Sequence, residues 1–138
     1  MIKKFAAIAC VTLGLAACTG MQDNAAAKHD SEFYTPTDAQ TAAGLQVFSR
    51  CKGCHSLDPS KNTFGPNLRG VYMRPAASLP RFQYSEALKG SGIVWNEENL
   101  RSWIAGNDVF VGGTRMRHVA IADALEQDYL LAFLKSFK

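Results

Sequence analysis

The chain has 138 residues, 47% of them hydrophobic, with 15 Lys and Arg against 12 Asp and Glu and a formal charge of +3. That length allows one compact domain with a tail and excludes a chain of several domains. The near-balance of charge, without a basic stripe, gives no sign of nucleic-acid binding.

Lys3 and Lys4 precede an apolar run from Phe5 to Ala17. The run is too short for a membrane span and has the form of an export signal. Leu15-Ala16-Ala17-Cys18 then looks like a bacterial lipobox, in which cleavage falls before a Cys that takes lipid. On that reading residues 1–17 are a lipoprotein signal peptide and the mature chain starts at acylated Cys18. Two or three acyl chains on one Cys hold a small domain firmly on a membrane surface. The alternative is an ordinary signal cut nearby, which leaves Cys18 a stray thiol in an oxidising compartment. Removing Lys3 and Lys4 takes two of the 15 cations and brings the mature chain close to neutral. No later segment is apolar for long enough to span a bilayer.

Residues 18–36 are polar and Ala-rich without apolar period, and read as a flexible tether. His29 falls in it as a solvated linker residue. The domain, 37–138, opens on a helix predicted to start at Thr37, with Thr37 and Gln40 as a capping box. Leu45 and Phe48 lie on one side of it, and it runs to Arg50. Gly44 in mid-helix costs about 1 kcal/mol relative to Ala, which suggests close contact with another helix. Residues 56–83 hold Pro59, Gly65, Pro66, Gly70, Pro75 and Pro80, and predict a long irregular loop wrapped around a large prosthetic group. A short helix is predicted over Ser85 to Lys89, ending near Gly90. Asn96 caps a further helix, with Glu97 and Glu98 in its first turn and its end at Gly106. Asn107 to His118 reads as loop. Asp123 and Glu126 open the last helix, where Leu130, Phe133, Leu134 and Phe137 recur at helical spacing. No strand pattern and no internal repeat appear, so the fold class is all-α.

Cys51-Lys52-Gly53-Cys54-His55 carries the chemistry. C-x-x-C-H is the haem c attachment signature. Two thiols three residues apart reach one porphyrin edge, and the adjacent imidazole is placed to ligate iron. A C-x-x-C pair also occurs in redox dithiols and in half of a zinc site. The chain downstream offers no Cys and only His118, and no βαβ context is visible. One motif implies one haem c, bound through Cys51 and Cys54. Cys10 leaves with the signal, so no pair remains for a disulfide. For the second axial position the chain offers Met73, Met116 and His118. A thioether is a soft ligand that raises the potential, although a Met is as often core filler. Arg50, Lys52, Arg74, Arg81, Arg115 and Arg117 fall near these ligands in sequence. They read either as a solvated surface that offsets propionate charge or as a docking ring for an acidic redox partner.

From about residue 40 to 137 the chain resembles the class I cytochromes c, close to the mitochondrial and purple-bacterial electron carriers. Gly44 and Phe48 match the first helix, and Cys51 to His55 the haem motif. Gly65-Pro66-Asn67-Leu68 matches the family's G-P-N-L. Arg74, Phe82-Gln83-Tyr84 and Gly92-Ile93-Val94-Trp95 match segments at the propionates. Gly113-Thr114-Arg115-Met116 matches the G-T-K-M ligand loop, and Leu130 and Phe133 match the last helix.

The resemblance implies N- and C-terminal helices crossing around one covalent haem, with His55 and Met116 on the iron. It implies that the Pro66 carbonyl holds the other imidazole N–H. Tyr84 and Trp95 are expected to donate to a buried propionate, with Arg74 offsetting its charge. Trp103 stands where the family usually has a Tyr near the Met ligand. Trp donates but cannot accept, which leaves open whether the sulfur-side hydrogen bond forms. Gly112 replaces a usual Pro, so the Met116 loop is expected to open more easily, and Leu88 replaces a frequent Asn.

The implied function is one-electron transfer, not enzymatic catalysis. The partners implied are a quinol–cytochrome c reductase as donor and a terminal oxidase or another reductase as acceptor. The protein is expected as a lipid-anchored monomer on the periplasmic side of a bacterial membrane. Two alternatives stay open: a haem subunit dedicated to one redox enzyme, and a ligand-binding or peroxidatic protein if the Met116 loop opens.

Overall fold

A computed structural model describes residues 31–117 and 120–138. The signal segment, Cys18, His29 and His118 lie outside the described residues. The helices of the domain are α1 (Ala39–Phe48), α2 (Glu86–Lys89), α3 (Glu97–Phe110) and α4 (Ala124–Ser136). Among the described residues no strand forms, and Pro75 and Val94 make one isolated antiparallel bridge. The all-α expectation holds.

The cap of α1 is Asp38, not Thr37. The Thr41 amide donates to the Asp38 carboxylate at 2.8 Å, and the Asp38 amide donates to Thr41 Oγ1 at 3.1 Å. The capping box therefore lies one residue later than the Thr37–Gln40 pair. Both Thr37 and Asp38 can cap, but a carboxylate accepts more strongly than a hydroxyl. Thr37 instead donates its hydroxyl to Asp38. At the other end α1 stops at Phe48, short of Arg50, and the chain enters the Cys51 turn through Cys51 N to Phe48 O at 2.8 Å.

α1 crosses α4 at Gly44. A Cβ there would stand 2.0 Å from the Tyr129 carbonyl oxygen and 2.7 Å from Phe133 Cβ. Only hydrogen fits between the two backbones. The close approach brings Phe48 and Phe133 together with centroids 4.8 Å apart, and Phe137 stacks on Phe133 at 5.3 Å. All three rings are fully buried. Each such side chain contributes roughly 1.5–3 kcal/mol by leaving water, so this crossing is the centre of the core. Tyr34, placed in the expected tether, packs edge-on against Phe133 at 4.9 Å and bonds Ser136 Oγ at 2.5 Å.

α3 does not end at Gly106. Gly106 leaves helical geometry at φ −173°, ψ 76°, yet the helix resumes to Phe110. The Val111 amide bonds the Asn107 carbonyl at 2.9 Å and closes the extra turn. Glycine interrupts the helix without terminating it, because the next peptides still find helical partners. α4 starts at Asp123, whose carboxylate accepts from the Glu126 amide at 2.8 Å. It buries Leu130, Leu131, Phe133 and Leu134, with Phe137 just beyond its end.

The loop between α1 and α2 is irregular but not loose. Asn67, nearly fully buried, donates through Nδ2 to the carbonyls of Ser56 and Asp58, each at 2.8 Å. Its Oδ1 accepts from the Arg69 amide at 2.8 Å. Gly70 then ties the loop to the end of α4 through Phe137 O at 2.7 Å. These bonds do for the loop what a ladder does for a strand: they satisfy buried backbone groups.

Candidate cofactor site

The helices and the long loop enclose a cavity of about 780 Å³. That is the scale of a large cofactor site. Its walls are mainly apolar, among them Leu68, Val71, Leu88, Leu100 and Ile104. Cys51, Cys54 and His55 reach it from the end of α1, and Met116 from the loop after α3.

His55 is 5% exposed, and its Nδ1 lies 2.7 Å from the Pro66 carbonyl oxygen. A carbonyl can only accept, so Nδ1 carries the proton and Nε2 keeps its lone pair. Burial lowers the pKa of the ring, which keeps it in the neutral form that binds metal. Gly65 makes the geometry possible. Its amide donates to the Cys54 carbonyl at 2.8 Å, and a Cβ on it would lie 2.4 Å from His55 Cε1. Thr63 Oγ1 also donates to the Cys54 carbonyl. The two cysteines form no disulfide with each other. Burial pushes the Cys51 thiol up to about 11, with the neighbouring Arg50 opposing the shift.

Met116 is half-buried and gripped at two points. Trp103 Nε1–H donates to its sulfur at 3.2 Å, and Asn107 Nδ2 donates to its carbonyl oxygen at 2.8 Å. The sulfur-side bond left open by the Tyr-to-Trp difference does form, because only a donor is required there. Met73 is 57% exposed and does not line the cavity.

Trp95, Tyr84 and Arg74 all line the cavity. Trp95 is buried and packs edge-on against Trp103, centroids 5.1 Å apart. Tyr84 is half-buried, and burial raises its phenol pKa while Arg74 opposes the rise. Burial also lowers the pKa of Arg74. Its guanidinium donates to the Arg69 carbonyl at 2.8 Å and the Asn67 carbonyl at 3.3 Å. Leu88 adds apolar wall.

The basic set divides. Arg50, Arg74, Arg115 and Arg117 line the cavity, whereas Lys52 and Arg81 do not. Arg50 makes a bidentate pair with Glu126, and Arg115 donates to the Gln83 carbonyl at 2.7 Å.

Gly65, Asn67, Thr63 and Asn107 are site residues that sequence patterns did not assign roles to. Gly65 and Asn67 sit inside the G-P-N-L motif, which was the available signal. Thr63 and Asn107 act by side-chain bonds to distant backbone and leave no periodic trace.

Two thiols on one edge, a neutral imidazole with Nε2 free and a thioether with a donor on its sulfur suit a covalently held iron porphyrin. The apolar cavity has the matching character. No protein-family model matches the chain. Cytochrome c2 of Blastochloris viridis is 40% identical over 104 residues, covering 74% of this chain and 82% of the relative. Cytochrome c2 of Rhodoblastus acidophilus is 37% identical, covering 70% and 91%. Among solved structures, cytochrome cH from Methylobacterium extorquens superposes with a TM-score of 0.66 at 37% identity, over 70% of this chain and 97% of that one. Cytochrome c2 from Rhodospirillum centenum also gives 0.66, at 30% identity over 71% and 98%.

Proposed function

The chain belongs to the class I cytochromes c, electron carriers with one haem c bound through Cys51 and Cys54, and on that premise we propose that His55 and Met116 are the axial ligands and that Cys18 tethers the domain by lipid to the periplasmic face of a membrane. When bound, haem c supplies one-electron exchange between Fe(II) and Fe(III).

The chain's residues determine how that exchange proceeds. His55 presents Nε2, and the Pro66 carbonyl fixes its orientation and basicity. Trp103 draws electron density from the Met116 sulfur. Tyr84 and Trp95 offer donors, and Arg74 a charge, to a buried propionate. Leu68, Leu88 and Leu100 exclude water and lower the local dielectric. With His55 and Met116 both holding the iron, no ligand position would remain open to a substrate. The observation that carries this reading is the pair of oriented donors, Nδ1 of His55 to Pro66 and Nε1 of Trp103 to Met116.

The likeness to cytochromes c2 supports redox proteins as partners, which we read as a quinol–cytochrome c reductase as donor and a terminal oxidase or another reductase as acceptor. Arg115 and Arg117 are exposed beside the cavity and suit an acidic docking face. The protein is read as a monomer. No helix among the described residues is long and apolar enough to cross a membrane, and the Leu15–Cys18 lipobox supports the anchor.

The test is the ferric spectrum of holoprotein purified from detergent-solubilised membranes. A thioether-to-iron charge-transfer band that vanishes in Met116→Ala is the expected result. Its absence from the unaltered protein overturns the ligation.

A further inference from the structure

Asn107 is fully buried, on the last turn of α3 beyond the Gly106 kink. It stands four residues after Trp103, and the two grip one residue at its two ends. Trp103 holds the Met116 sulfur at 3.2 Å and Asn107 holds the Met116 carbonyl at 2.8 Å. Among the described residues, little else holds the Met116 backbone. Its amide reaches Thr114 Oγ1 at 3.4 Å, a long bond within the loop itself. The loop starts with Gly112 and Gly113, the latter at φ +86°, and glycines enlarge what the open state can explore. Among the described residues beyond it, Ile121 N bonds Ile104 O at 2.9 Å and ties the chain back to the body of the protein.

The other half of the Asn107 amide sharpens the point. Oδ1 is buried without a partner among the described residues. An unpaired buried acceptor is costly, and an apolar side chain of similar volume would avoid that cost. The amide therefore has its use in the donor half, aimed at Met116.

We infer that Asn107 is a positioning residue that holds the Met116 loop closed through its Nδ2 bond to the Met116 carbonyl. This rests on the ligation of iron by Met116. The gate it controls is release of the sulfur, which any exogenous ligand must await.

The test uses ferric holoprotein and imidazole as the entering ligand. Asn107→Leu keeps the branched shape and removes the donor. The thioether charge-transfer band is recorded first in the unaltered protein; if it is missing there, the ligation reading fails and not the clamp alone. With the band present, Asn107→Leu should bind imidazole about tenfold faster and tighter, the size expected of one lost buried hydrogen bond. The denaturant midpoint of the imidazole-bound form should not fall, because the clamp is already released there. An unchanged imidazole rate overturns the proposal, and so does an equal loss of stability in both forms. If the variant fails to mature, the unaltered protein gives the answer. Its Asn107 side-chain amide protons should exchange slowly, and lose that protection when imidazole displaces the sulfur. Exchange that is fast from the start, or unaffected by imidazole, overturns the clamp.

Discussion

Gly65 lies so close to the His55 imidazole that a Cβ on it would come within 2.9 Å of three ring atoms, with Cε1 nearest at 2.4 Å. The ring cannot swing away without losing its bond to Pro66. Gly65→Ala should therefore lower haem incorporation and destabilise the holoprotein by about 3 kcal/mol, an overpacking cost in a site that cannot yield. Pyridine haemochrome yield and guanidinium unfolding measure the two effects. A variant that matures fully with unchanged stability would show that the ring is not confined.

Gly44→Ala tests the helix crossing. The added methyl meets the Tyr129 carbonyl oxygen at 2.0 Å, a backbone atom of α4. Alanine gains about 1 kcal/mol in helix propensity, but overpacking costs about 3 kcal/mol. A net loss of about 2 kcal/mol is expected in denaturant unfolding. A gain in stability would mean that α1 and α4 can separate freely.

Trp103→Phe removes the hydrogen bond to sulfur and keeps an aromatic wall. The sulfur then donates more strongly and favours ferric iron. One hydrogen bond of about 1 kcal/mol, at about 59 mV per tenfold for one electron, puts the fall in midpoint potential at roughly 40 mV. Redox titration reads it. A rise would reverse the role given to Trp103.

Glu97 ties α3 to α4 and gives a pH-dependent prediction. Its hydrogen bond to Lys135 at 2.6 Å, and then its bond to Arg101 at 2.8 Å, hold its carboxyl at about 2, down from 4.5. The folded state binds the proton more weakly than the unfolded state. The stability it contributes is therefore present above pH 4.5 and lost as pH falls toward about 2. Glu97→Gln should be less stable than the unaltered protein near neutrality, and the two should converge near pH 2. The group is exposed, so added salt should shrink the gap. Thermal unfolding across that range checks it; curves that stay parallel would mean the pair contributes nothing.

Cys18→Ser should abolish acylation and the cleavage that precedes residue 18, with the haem spectrum unaltered. Fractionation and mass spectrometry of the mature N-terminus decide it. An unmodified Cys18 in membrane-bound protein would remove the lipid anchor from the reading.

The legible parts of this chain are those where one residue satisfies a local need. Asn96 and Asp123 cap their helices because each side chain reaches an amide three residues on, whereas Ser85, read as the first helical residue, proves to be a cap as well. Gly44 in a helix announced a crossing. Where two residues could do one task, sequence was not enough: Asp38 displaced Thr37 by accepting more strongly. Gly106 was read as a stop, but the bond from Val111 to Asn107 carries the helix on. Tyr34 shows the same limit, since it and the adjacent Phe33 stand in a polar stretch with no period to reveal the place of Tyr34 against Phe133. Asn107 was the least legible, since its contact spans nine residues and depends on the kink before it.

The crossing of α1 with α4 has a further consequence, for the order in which the molecule opens. Most of the domain's chain lies between those helices, so the contact closes one very long loop and demands a large entropy before it forms. Once made, it belongs to a different tier of stability from the Met116 loop, which is tied down by a few side-chain bonds. The ligand loop can fluctuate while the aromatic knot of Phe48, Phe133 and Phe137 stays shut. Hydrogen exchange should thus divide the protein into two cooperative units, one that opens alone and one whose opening is global unfolding.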